Sequence, residues 1–165
     1  MAVLTANVQR PVRLPPGGVM TDRIGLAGYT NFGGGSATHE VYHGSVMVSD
    51  VSDTDGYFRA VPDTSSVNMA SGDIFGGISL ERQSVTSSDT GDGSVKCLVA
   101  REGIWGFAKG SLAITDIGAA AYATDDNTIS TTSTNALWIG YIEDVDDTYV
   151  WVNIAPAYKR ANAAT

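Results

Sequence analysis

The chain has 165 residues, a formal net charge of −8 at neutral pH and a single cysteine. A chain of this length is expected to form one domain that buries roughly 70% of its unfolded surface, and one cysteine excludes an intrachain disulfide. The negative charge argues against nucleic acid as a partner, because a phosphate backbone requires a basic face, and no apolar run approaches the roughly 20 residues of a membrane span.

The first 38 residues are predicted to form an extended N-terminal arm. They contain three of the five prolines and a run of three glycines at 33–35, which favour neither a helix nor a central strand. Sixteen extended residues reach roughly 55 Å at about 3.5 Å per residue. The arm is therefore long enough to lie across a neighbouring subunit, and a frayed terminus that touches nothing is the alternative.

Residues 39–156 are predicted to form a β-domain, followed by a C-terminal tail at 157–165. Short runs of β-branched and aromatic residues are separated by turn signals at spacings of about 8–12 residues, which is typical of a small antiparallel β-barrel or sandwich. One short helical turn is expected within 112–121, with Thr115 or Asp116 as its cap. The expected strands are 41–48, 57–61, 74–80, 95–99, 104–107, 121–123, 128–130, 137–143 and 148–154.

Acidic residues are concentrated in this β-domain. Residues 40–155 contain 17 of the 18 Asp and Glu against five Lys and Arg, which leaves a net charge of −12, while both ends of the chain are mildly basic. An acidic β-domain with proline- and glycine-rich ends is typical of a binding or structural protein, so we predict that the chain is not an enzyme. The N-terminus lacks a hydrophobic signal core, which predicts a soluble protein that folds in a cytosol.

The last strand sorts its side chains onto two faces. Alternate residues from Val150 to Ile154 are predicted to face the core, which leaves Tyr149 and Trp151 on the outer face. Large aromatic residues on an outer face are typical of interfaces, although a second packing layer within the domain is the alternative. We therefore predict a subunit interface that contains Trp138, Tyr149 and Trp151.

Two small features have a functional and a structural interpretation. The sequence His39-Glu40-Val41-Tyr42-His43 matches the H-E-x-x-H pattern of zinc proteases, which requires a helix to bring both histidines onto one face. The flanking glycines and β-formers favour a strand, on which the histidines lie about 13 Å apart, so we predict no metal site and no cofactor. Cys97 lies in an alternating apolar pattern and is interpreted as a small core residue rather than a reactive thiol.

Acidic loops are the remaining candidates for chemistry. Asp53-x-Asp55-Gly56 is similar to the start of a calcium loop but lacks the terminal bidentate Glu. The denser groups at 125–126 and 143–147 are interpreted as solvated turns that favour solubility, with calcium binding as the alternative.

The run from Glu40 to Val48, followed by Asp55-Gly56-Tyr57 and a proline, is similar to the opening of a known family, the tailed-bacteriophage capsid cement, or decoration, proteins. The resemblance extends over about residues 39–156. It continues in the central strand pair at 99–107, the short helical turn at 112–118, the acidic-turn segment at 121–130 and the final hairpin formed by 139–143 and 150–154.

The resemblance implies a structural virion protein with no catalytic residues and no small-molecule substrate. Such a domain is made in the host bacterial cytoplasm, sits on the outer surface of the phage head and bridges major capsid protein subunits, often as a homotrimer. On this basis the expected capsid contacts are Arg10, Arg13, Leu14 and Arg23.

Two other functions are kept as alternatives. A head fibre or carbohydrate-binding module would stack sugars on exposed tryptophans, for which Trp105, Trp138 and Trp151 are the candidates. An enzyme built on His39, Glu40 and His43 is the third hypothesis.

Overall fold

The computed structural model describes residues 4–13, 24–29, 39–49, 58–62, 69, 72–85 and 95–157. In these residues the chain is almost entirely β, and each strand pairing is antiparallel. The strands are β1 (Val12–Arg13), β2 (Ile24–Tyr29), β3 (His39–Val41), β4 (Val46–Ser49), β5 (Phe58–Ala60), β6 (Ile74–Ser79), β7 (Gln83–Val85), β8 (Lys96–Ala100), β9 (Ile104–Ala108), β10 (Ala120–Ala123), β11 (Ile129–Ser130), β12 (Leu137–Val145) and β13 (Tyr149–Asn153).

Helical structure in the described part of the chain consists of a 3-10 turn at Ile114–Asp116 and a helical segment at residues 155–157. Neither is long and apolar enough to cross a membrane, and the same holds for every helix among the described residues. The predicted helical turn is confirmed, but its cap is Ala113 rather than Thr115 or Asp116. Asp116 ends the turn, and its carboxylate accepts a hydrogen bond from the Ala113 amide at 2.8 Å.

Two antiparallel sheets enclose the main core. The six-stranded sheet has the order β1-β9-β13-β12-β10-β11, and the five-stranded sheet has the order β2-β8-β6-β4-β5. Buried side chains from both sheets form one cluster, which includes Val46 and Ile78 from the second sheet and Phe107, Ile139 and Val152 from the first. The expected all-β antiparallel fold is therefore confirmed, with one sheet curled into a half-barrel.

A second, smaller core lies behind the five-stranded sheet. Along β4, Val46 and Val48 face the main core, whereas Met47 packs against Val41, Cys97 and Val99. This alternation follows from the two-residue period of a strand. The predicted burial of Cys97 is confirmed at 1% exposure, and burial raises the pKa of its thiol.

The strand predicted at 41–48 is instead two strands. β3 ends at Val41 and β4 begins at Val46, with a turn around Tyr42–Gly44 between them. Gly44 has φ +91°, a left-handed conformation that interrupts a strand and favours glycine. β3 pairs with β7 in a separate two-stranded sheet, while β4 lies inside the five-stranded sheet.

The predicted arm contributes strands to both large sheets. β1 is the edge strand beside β9, and β2 is the edge strand beside β8. Edge positions suit a segment rich in proline and glycine, because only one side of the strand must hydrogen-bond. Residues 4–13 also lie along the body of the same chain, and we call them the N-terminal strap.

Candidate interaction site: the N-terminal strap and its anchors

Backbone hydrogen bonds attach the strap to two elements of the body. The Val8 amide donates to the His43 carbonyl at 2.8 Å, and Nδ1 of His43 lies 2.8 Å from the Val8 carbonyl oxygen. Further along, the Gly106 amide donates to the Pro11 carbonyl at 2.8 Å. The strap therefore bridges the turn before β4 and the outer edge of β9.

Two glycines allow the strap to approach this closely. A Cβ atom on Gly44 would lie 2.5 Å from the Val8 carbonyl oxygen, and one on Gly106 would lie 2.7 Å from Cγ of Pro11. Both distances are too short for a carbon atom, so any other residue would displace the strap. At Gly106 the three nearest atoms all belong to Pro11.

Arg10 is the interior anchor of the strap. Its side chain is 6% exposed, and its guanidinium lies 4.1 Å from the centre of the Phe107 ring. Nε donates to the Gly44 carbonyl at 2.6 Å, and Nη2 donates to the Asp126 carbonyl at 3.2 Å and to Oδ1 of Asn127 at 3.0 Å. Burial lowers the pKa of Arg10 to about 10, so the guanidinium still carries its charge at neutral pH.

Two buried carboxylates lie beside this guanidinium. Asp125 and Asp126 are 0% and 2% exposed, although they belong to an acidic turn that the sequence predicts to be solvated. Oδ1 of Asp126 accepts from the Leu4 amide at 2.8 Å, and its Oδ2 accepts from the Ser45 hydroxyl at 2.9 Å. Burial raises the pKa of Asp126, and the charge of Asp125 adds to this, against the opposing effects of the hydrogen bonds from Leu4 and Ser45 and of the Arg10 charge.

The turn conformation explains how Asp125 is held. Its Oδ1 accepts from the backbone amides of Asn127 at 2.8 Å and Thr128 at 2.6 Å, which is the Asx-turn pattern typical of aspartate. Its other oxygen, Oδ2, is buried and has no hydrogen-bond partner within the described ranges. The turn therefore places a carboxylate oxygen in the interior without a hydrogen-bond donor.

Arg13 is the exterior anchor. Its guanidinium forms ion pairs with Asp144 and Asp146 and stacks 3.7 Å from the centre of the Trp151 ring. The indole Nε1 of Trp151 also donates to Asp146 at 2.7 Å. This indole bond, the amides of Tyr149 and Thr148, and Arg13 lower the pKa of Asp146 to about 2.

Three exposed apolar side chains come from the 3-10 turn, its exit and β12, and we call them the apolar patch. Ile114 is 70% exposed, Ile117 is 44% exposed and Tyr141 is 43% exposed. The two isoleucines belong to the 3-10 turn and its exit, which joins β12 through the hydrogen bond from the Gly118 amide to the Ile142 carbonyl. Tyr141 precedes Ile142 on the same strand.

The structure changes the interpretation of the predicted capsid contacts. Arg10 is enclosed by its own chain, so its guanidinium is not available on the surface and the prediction that it contacts a capsid does not fit its burial. Arg13 is accessible, with 42% of its side chain exposed, but it already pairs with acids of the same chain. Leu14 and Arg23 lie outside the described residues, and their predicted contacts stay predictions.

The predicted interface aromatics are not equivalent. Trp151 is 6% exposed because Arg13 covers it, so it forms a second packing layer within the chain. Tyr149 is half-buried and packs edge-on against Trp151. Trp138 is half-buried, packs against the main core and makes an edge contact with Tyr141.

The H-E-x-x-H sequence is not helical. Its first three residues are β3, its last residue lies in the following turn, and Glu40 forms an ion pair with Arg82 at 2.9 Å. Across the described residues, no group of three or more His, Cys, Asp or Glu side chains is arranged to hold a metal ion. The Asp53–Gly56 turn lies outside the described residues.

Comparison with protein-family models, curated proteins and solved structures found no match to this chain.

Proposed function

We propose that this chain is a capsid cement protein that binds the outside of a tailed-phage head and stabilises contacts between major capsid subunits. The observation that carries the proposal is the order of elements from β8 to β13. The segments that resemble the family contain the end of β8, most of β9, the 3-10 turn, the β10–β11 pair and the β12–β13 hairpin, in the expected sequence.

The pairing of two of these strands differs from the strand pair that the resemblance implies. β8 and β9 are consecutive strands but do not pair with each other: β8 belongs to the five-stranded sheet and β9 to the six-stranded sheet. Residues 101–103 therefore carry the chain from one sheet to the other. The two strands tie the two halves of the core together, which suits a rigid part whose shape is its function.

The physical basis of the proposed activity is preferential binding. A subunit that binds an assembled shell more tightly than free coat protein stabilises the shell by mass action. Each contact can be weak, because several contacts made by one oligomer act together through their high effective concentration. The predicted homotrimer would supply that multivalency, and Trp138 and Tyr149 remain its candidate interface residues.

We infer that the apolar patch is a contact surface for the coat protein. Exposed isoleucine and tyrosine side chains gain free energy when a partner removes them from water, at about 25 cal/mol per Å² of apolar area. Two members of the patch, Ile114 and Ile117, also lie in the segment at 112–118 that the resemblance includes. Arg10 is buried by its own chain and is not part of this proposed surface.

The decisive experiment is biochemical analysis of purified virions. A cement protein co-purifies with intact particles in a copy number comparable to that of the coat protein. Absence of the chain from intact virions, or its presence in only a few copies per particle, would refute the proposal.

A pair of variants tests the contact surface. The double substitution I114S/I117S is expected to weaken rebinding to particles stripped of the chain at least tenfold while the fold is kept, because both side chains are already exposed. Ile74→Ser is the matched control, since Ile74 is 40% exposed on β6 of the other sheet. Equal binding by all three proteins would remove the apolar patch from the mechanism.

The burial of the three candidate tryptophans argues against the carbohydrate-binding alternative. A stacking platform requires exposed aromatic faces. Trp105 and Trp151 are each 6% exposed, and Trp138 is partly packed against the core.

A further inference from the structure

The interior anchor holds more negative than positive charge. Asp125 and Asp126 are both almost fully buried, and Arg10 is the cation that lies with them. The hydrogen bonds of Arg10 go to neutral oxygens, namely two backbone carbonyls and the side-chain amide of Asn127. A buried carboxylate without an ion-pair partner is strongly unfavourable. Binding a proton at this cluster would therefore lower the free energy of the closed structure.

Closing the strap is what isolates Asp126 from water. The Leu4 amide covers one carboxylate oxygen, the Ser45 hydroxyl covers the other, and Arg10 lies beside the turn. The neighbouring Oδ2 of Asp125 is buried with no hydrogen-bond partner in the described part of the chain. Two of these covering groups, Leu4 and Arg10, belong to the strap and leave with it.

We propose that closing the N-terminal strap takes up one proton at Asp126, beside the buried carboxylate of Asp125, so that the strap closes in acid and opens as the pH rises. This inference goes beyond the capsid proposal and does not depend on it, because it concerns the isolated chain.

The sign of the effect follows from proton linkage. Burial raises the pKa of Asp126 when the strap is closed, and opening returns the carboxyl to water and to its ordinary range. The closed state therefore binds more protons than the open state at pH values between the two pKa values. Its stability is greatest below the ordinary pKa of aspartate and declines as the pH rises through the pKa of the closed state.

The other charged groups at the site have defined positions. Arg10 faces the pair from the strap, and its charge opposes protonation of Asp126. His43 lies on the turn that precedes Ser45 and touches the strap at the Val8 carbonyl. Its Nδ1 must donate there, which both the neutral Nδ1–H tautomer and the cation can do, so His43 is the group to separate from Asp126 by experiment.

Amide hydrogen exchange of the intact protein tests the proposal. The Val8 and Gly106 amides form hydrogen bonds between strap and body, so their exchange reports strap opening. After correction for the intrinsic pH dependence of exchange, the opening constant is expected to rise by up to about tenfold per pH unit across the titration, which is the limit for one proton. An opening constant that stays unchanged from about pH 4, near the ordinary pKa of Asp, to about pH 8, above that of His, would overturn it.

Three variants identify the responsible group. Asp126→Asn keeps the acceptor for Leu4 but removes the charge, and it should make strap opening independent of pH. His43→Gln keeps a donor for the Val8 carbonyl and should retain the wild-type profile, as should Asp147→Asn, in which an exposed carboxylate is removed. A flat profile in H43Q, or a wild-type slope in D126N, would contradict the assignment.

A second measurement does not require any variant to fold. The carboxyl carbon of Asp126 in the wild-type protein should titrate above the ordinary range of aspartate when observed by NMR. Titration of Asp126 at or below that range would refute proton uptake on closing.

Discussion

The two anchors of the N-terminal strap use the same side chain in opposite environments. Arg10 and Arg13 are three residues apart, and each lies over an aromatic ring, at 4.1 Å from Phe107 and 3.7 Å from Trp151. Arg10 is buried and bonds to neutral oxygens, whereas Arg13 is 42% exposed and pairs with two carboxylates. We therefore expect the more conspicuous ion pair to be the weaker anchor, because water screens it.

Loss of the interior anchor should have the largest effect. Arg10→Met keeps most of the side-chain volume but leaves the acceptors at Gly44 and Asn127 unpaired and two buried carboxylates without a cation. We expect the free energy of unfolding at neutral pH to fall by about 3–5 kcal/mol. Urea denaturation measures this loss. A loss below about 1 kcal/mol would show that the buried anchor contributes no more stability than the exposed one.

Displacing the strap between the anchors should have an intermediate effect. Gly106→Ala adds one methyl group whose nearest neighbours are atoms of Pro11, so the strap is displaced while the body is left unchanged. Overpacking of this kind costs about 1–3 kcal/mol. Amide exchange at Val8 should accelerate in this variant while exchange within β12 and β13 is unaltered, and equal acceleration throughout would indicate damage to the whole sheet.

Loss of the exterior anchor should have a small effect. Arg13→Met is expected to lower the free energy of unfolding by less than about 1 kcal/mol, because exposed ion pairs contribute little. A double-mutant cycle with Asp144→Asn should give a coupling of about 0.2–1 kcal/mol that decreases at high salt. Coupling that is insensitive to salt would mean that Arg13 is shielded from water.

Acid should affect the exterior anchor in the opposite direction to the interior one. The pKa of Asp146 is lowered from 3.8 to about 2, so its contribution to stability is present above about pH 4 and is lost as the pH falls toward 2. Asp146→Asn should remove this part of the acid sensitivity, and Trp151 fluorescence is a local report of it. An unchanged acid profile in the variant would exclude Asp146 as its source.

Local sequence pattern predicted the strands well where one face of a strand meets the core. The alternation around Val150 correctly assigned Val150, Val152 and Ile154 to the interior, where each is fully buried. The β12–β13 hairpin across the acidic turn and the buried face of β8 were predicted for the same reason. The prediction of one continuous strand at 41–48 was wrong, because Gly44 forms a turn that divides it into two strands.

The site could not be predicted in the same way. Arginine is rarely buried, and no local feature distinguishes Arg10 from Arg13 in the sequence. The Asp125-Asp126-Asn127 run between two short strands does indicate an Asx turn, which the structure contains. Its burial was missed because the covering groups come from the strap, more than 100 residues earlier in the chain.

The amino-acid order by itself determined the fold class, the strand faces and the unequal distribution of charge, because these depend on the two-residue period of a strand and on composition. The tertiary structure alone decided which charges are buried and which are solvated. A side chain is buried when other parts of the chain pack over it. Here the ten-residue strap packs over the Asp125–Asp126 turn through contacts between residues that are distant in sequence. The same acidic residue type is therefore a solvated partner of Arg13 at one end of the strap and a site of proton uptake, by our proposal, at the other.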